Sequence, residues 1–71
     1  MMPLMLADIG EELTVMKVGG KPEIKKHLEN LGFVPGNTVS VVTRTDGNII
    51  VKIMEARVAI SREMAQKIMI A

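Results

Sequence analysis

At 71 residues the chain makes one domain near the lower size limit for folding without a staple. It has no cysteine, which excludes disulfides, thiolate metal sites and cysteine nucleophiles. Hydrophobic residues are 48% of the total but Phe33 is the only aromatic, so the core has to be built from Ile, Val, Leu and Met. A net charge of +1 gives no electrostatic basis for binding nucleic acid or an anionic membrane surface.

Residues 1–7 are apolar but short, lack a basic start and run into Asp8, unlike a secretory signal. Nothing approaches the ~20 apolar residues of a membrane span. A soluble cytoplasmic protein with no membrane insertion is expected. Residues 12–18 hold Leu13, Val15, Met16 and Val18 and stop at Gly19-Gly20, which predicts a first strand. Pro22 suits the first turn of a helix, where its missing N–H costs nothing. Ile24, Leu28 and Leu31 then recur at helical spacing and form one apolar stripe. Lys25 and Glu29 stand four apart on the polar side, a pairing worth roughly 0.2–0.5 kcal/mol.

The helix exit is the most informative stretch. Gly32 suits the left-handed residue that closes a helix, and Pro35 prevents the helix from resuming. Gly36 and Asn37 can turn the chain into a second strand at 38–44, rich in valine and threonine. Asp46-Gly47 signals a hairpin with a type I′ turn, and 49–54 is the returning strand. A tighter reversal near Glu55-Ala56 leads to a fourth strand at 57–60. Ser61 can cap a single helical turn over 61–66, with Glu63 near its positive end, and 67–70 supplies a fifth strand.

Five short strands and one inserted helix cannot leave two long exposed edges in so small a protein. Curling into a mainly β, SH3-like barrel would remove those edges and enclose the aliphatic core.

Candidate chemistry is sparse. His27 lies beside the apolar stripe, with Glu23 one turn before it and Asn30 three residues after, and the pair Glu23 and His27 could hold a borderline divalent metal weakly. A solvated histidine at the border of the stripe is favoured, because metal sites need several convergent ligands. The seven methionines show no cluster beyond Met1, Met2 and Met5, which could form an adaptable surface patch. Met16, Met54, Met64 and Met69 read as core fillers. Gly19-Gly20-Lys21 fails as a phosphate loop, since Val15 and Pro22 occupy positions that need glycine and Ser or Thr. No nucleophile, base or carboxylate pair suggests catalysis, so no enzyme is expected. The absence of Trp and Tyr argues against both a proline-motif groove and a single-strand nucleic-acid platform.

The order of these pieces resembles a known family. Leu6-Ala7-Asp8-Ile9-Gly10-Glu11, then His27-Leu28-Glu29-Asn30-Leu31-Gly32-Phe33-Val34-Pro35-Gly36 with Thr38-Val39, are similar to the opening and the helix-to-strand signature of the FeoA family. Arg57-Val58-Ala59-Ile60-Ser61 and Glu63-Met64-Ala65-Gln66-Lys67-Ile68 look like its closing strand, turn and strand. Glu55-Ala56 stand where members often have glycine, and His27 where arginine is frequent.

The resemblance implies an SH3-like barrel and a role accessory to FeoB, the membrane GTPase of bacterial ferrous iron uptake. It also implies kinship with the C-terminal domain of metal-dependent repressors, so a divalent-metal chaperone or sensor is the alternative. Fe(II) would be the metal in question, and a monomer or weak oligomer is expected. Leu4, Leu6, Leu31, Phe33, Val34 and Pro35 are the candidate partner contacts, because they place large apolar groups in irregular segments. For Leu31 and Phe33, core packing is an equally good reading.

Overall fold

The apolar stripe of Ile24, Leu28 and Leu31 forms as the spacing predicts. In the computed structural model, which describes all residues 1–71, helix α1 spans Pro22–Asn30 with proline in its first turn. Leu28 is buried, Ile24 and Leu31 are half-buried, and the other positions of α1 face solvent. The helix closes with a Schellman motif. Gly32 N–H donates to the carbonyl of Glu29 and Phe33 N–H to that of Leu28, each at 3.0 Å. Gly32 adopts φ +110°, and Phe33 and Leu28, the hydrophobic pair of such a motif, are both fully buried.

Strand β2 is Leu13–Val18, β3 is Thr38–Arg44, β4 is Asn48–Ile53 and β5 is Ala56–Ser61. A short helix α2, Arg62–Gln66, follows, and its N-cap is Ser61, whose Oγ accepts from Met64 N–H at 3.2 Å. Strand β6, Ile68–Ile70, ends the fold.

The amino terminus differs from expectation. Met2–Pro3 form a sixth strand, β1, paired with β6, and Leu4–Leu6 make a single 3-10 turn. That turn buries Leu4 completely, and Ala7 follows it into the core. Arg44 ties the segment down, its Nη2 donating to the carbonyls of Met5, at 2.9 Å, and Ala7.

All strand pairings are antiparallel, in the order β1-β6-β2-β3-β4-β5. The sheet wraps around one core of 15 buried residues, none polar or charged. β2 is the pivot, pairing with β3 through Leu13 and Thr14 and with β6 through Val15, Lys17 and Val18. The barrel is not closed by hydrogen bonds, because β1 and β5 are the ends of the sheet and do not pair with each other. Two edges therefore survive, contrary to the closure expected from the sequence.

The β3–β4 hairpin turns at Asp46-Gly47 as expected, with Thr45 N–H donating to the carbonyl of Asn48 at 2.9 Å, but neither Asp46 nor Gly47 has a positive φ, so the turn is not type I′. The tight reversal expected near Glu55-Ala56 is a two-residue turn at Met54 and Glu55, between the paired Ile53 and Ala56, with φ +51° and +67°. Positive φ at both central residues is the requirement of a type I′ turn, and here it is met without glycine.

Candidate partner-docking face

The chain leaving α1 does not wander over the surface. Gly36 N–H donates to the carbonyl of Val15 at 2.8 Å and Val15 N–H to that of Asn37 at 2.9 Å, which lays the exit along β2. Gly36 takes φ +100°, and the Asn37 side-chain amide donates to the carbonyl of Gly32 at 2.7 Å. Backbone and side chain together hold Val34 and Pro35 in one place, pointing outward from a braced turn.

A bulge in β2 completes the face. The register shifts between Val15 and Lys17, so Met16 is the extra residue and turns out to solvent. A shallow groove of about 330 Å³ results, lined by Met16, Lys17 and Val18 of β2, Lys25 and Glu29 of α1, and Pro35. Met16 is 47% exposed and Val34, one residue before Pro35, is 40% exposed. Apolar Met16, Val18 and Pro35 and charged Lys17, Lys25 and Glu29 share the groove's lining.

Of the six candidate contacts, Val34 and Pro35 are exposed and Leu31 is half-buried. Leu4 and Phe33 are fully buried and hold the core. Leu6 is 67% exposed but belongs to the amino-terminal segment with Ile9, away in sequence from the helix exit. Met16 corrects the core-filler expectation, and so does Met54, both well exposed, whereas Met64 and Met69 are half-buried. One signal for Met16 was present: the buried Val15 and Val18 are three apart, which breaks the period of two.

Glu23 and His27 are both exposed on α1, one turn apart. No three His, Cys, Asp or Glu side chains converge anywhere on the molecule. A second depression, about 270 Å³, lies over β3 and β4 and includes Glu12, Ser40, Lys52 and Glu55. No helix is long and apolar enough to cross a membrane.

The family model of the FeoA domain matches residues 2–71. The chain belongs to the FeoA family. It is 31% identical over 70 residues to a Methanocaldococcus jannaschii protein provisionally named Fe(2+) transport protein A, covering 99% of this chain and 85% of that one. The crystal structure of an iron uptake regulatory protein, FeoA, superposes with a TM-score of 0.87 at 26% identity, covering 96% of this chain and 92% of the other. Stenotrophomonas maltophilia FeoA, an SH3 domain protein crystallised with zinc, matches with a TM-score of 0.86 at 22% identity, over 100% and 91% of the two chains. An SH3-like fold and a place in ferrous iron transport follow from the family.

Proposed function

We propose that this chain is a non-enzymatic cytoplasmic adaptor of ferrous iron uptake that docks on the soluble GTPase domain of a FeoB-type transporter. The observation that carries the reading is the braced helix exit, which sets Pro35 in the groove with the outward Met16 and leaves Val34, one residue earlier, exposed. An apolar patch held by backbone bonds keeps its shape without a partner, so little ordering entropy opposes docking. A pull-down with the transporter's soluble domain, comparing wild type with Val34→Asp, tests it. A folded Val34→Asp protein that binds as well as wild type removes this surface from the account.

A second reading is direct divalent-metal binding, as a chaperone or sensor, with Fe(II) as the metal. Glu23 and His27, one helical turn apart and both exposed, support it because they can meet a single ion without rearranging the helix. Two ligands alone give weak affinity. Anaerobic titration with Fe(II) or Zn(II), followed by the NMR signals of Glu23 and His27, decides it. Unshifted signals at about millimolar metal exclude it.

A further inference from the structure

The two open edges of the sheet are unequal. β1 is two residues long and contains Pro3, so it offers almost no pairing surface. β5 is six residues long, contains no proline, and pairs with β4 residue for residue, without a bulge, from Ser61 to Ala56. Sheet edges are normally blunted by short length, proline, bulges or charge, and β5 has only the charge of Arg57.

The tight turn at Met54-Glu55 fixes which backbone groups face outward. A two-residue hairpin closes on a hydrogen-bonded pair, here Ile53 and Ala56, and such pairs alternate along an antiparallel ladder. Val51–Val58 and Ile49–Ile60 are then the bonded pairs. The N–H and C=O groups of Arg57 and Ala59 point away from β4. No backbone hydrogen bond outside the ladders involves either residue.

Charge says what the edge would accept. Lys52 and Arg57 are directly opposite partners, both exposed, at a non-bonded pair where side chains approach most closely. Like charges there repel. Lys52 has Glu55 and Glu12 around the neighbouring depression, but Arg57 lies outside it and makes no side-chain hydrogen bond. On the opposite face of β5, Val58 is half-buried and Ile60 buried, so an added strand would set apolar side chains over the core.

We propose that β5 is a strand-addition site for an extended partner segment in which acidic and apolar residues alternate. The acids meet Arg57 and Lys52, the apolar residues cover Val58, and the main chain bonds to Arg57 and Ala59. This edge is distinct from the groove at the helix exit, and either surface can fail its test without the other.

The test titrates a capped hexapeptide alternating Glu and Val into the ¹⁵N-labelled protein, with a Lys and Val peptide as control. Expected are shifts and slowed amide exchange at Arg57 and Ala59 with the acidic peptide, and at least about tenfold weaker binding of the basic one. Ala59→Pro removes one outward N–H without touching the β4 ladder, so the variant folds and loses binding about tenfold. Arg57→Glu reverses the preference between the two peptides. No shift at about 5 mM acidic peptide overturns the proposal, as do shifts confined to the Met16 groove or unchanged binding by folded Ala59→Pro. Concentration-dependent protection of Arg57 and Ala59 without peptide would make the occupant a second copy and overturn it equally.

Discussion

A side-chain carbon placed on Gly32 would lie 2.8 Å from Met54 Cγ, so any larger residue at the end of α1 forces the Met54 side chain of the β4–β5 turn to shift. Gly32 also holds φ +110°. Gly32→Ala therefore carries both left-handed strain and a clash, and should cost about 2–4 kcal/mol. Thermal unfolding measures it, at roughly 4–8 °C per kcal/mol in a domain of this size. Met54→Ala in the same chain should recover part of that loss, the part due to the clash, and a double-mutant cycle separates it from the strain.

The turn itself can be improved. Met54 and Glu55 both sit at positive φ, and neither is a residue that tolerates it well. Glu55→Gly should stabilise the protein by about 0.5–1 kcal/mol, since relief of left-handed strain exceeds the entropy that glycine adds to the unfolded chain. A lower melting temperature would contradict the conformation assigned to this turn.

Much of this fold was legible, and for physical reasons. The helix from Pro22, its closure at Gly32, the strand Thr38–Arg44 and the Ser61 cap all rest on local rules of capping, proline geometry and periodicity. What escaped depends on distant partners. Met2–Pro3 become a strand only because Met69 and Ile70, from the other end of the chain, lie alongside. Two residues carry no period of their own. The outward turn of Met16 depends on a register shift against β6, which explains why it reads as a core filler. Asp46-Gly47 turns the β3–β4 hairpin as its chemistry suggests, yet neither residue takes a positive φ, so the turn type was not legible. Among the candidate contacts, Phe33 and Leu4 are apolar residues in irregular segments that the helix closure and the 3-10 turn bury.

Adjacent residues at the helix exit should consequently behave oppositely. Phe33 is fully buried, so Phe33→Ala should cost about 3–5 kcal/mol, much of the stability of so small a domain. Val34 is 40% exposed, and Val34→Asp should change stability by less than about 0.5 kcal/mol. Urea titrations of the two variants, compared at equal m-value, check the contrast.

The cap at Ser61 joins β5 to α2 through its bond from Met64 N–H. Ser61→Ala should destabilise by about 1 kcal/mol, and Ser61→Asp should retain most of the wild-type stability. Equal melting temperatures for wild type and Ser61→Ala would show that α2 is held by packing of Ala65 alone.

Docking of the helix exit on a FeoB-type GTPase domain is the proposal on which the functional reading rests. The most direct measurement is an NMR titration of the labelled chain with the unlabelled GTPase domain of a FeoB-type transporter. Perturbation centred on Met16, Val34 and Pro35 is expected, with at least about tenfold weaker binding by a normally folded Val34→Asp variant. Perturbation elsewhere, or wild-type affinity in that variant, would contradict it.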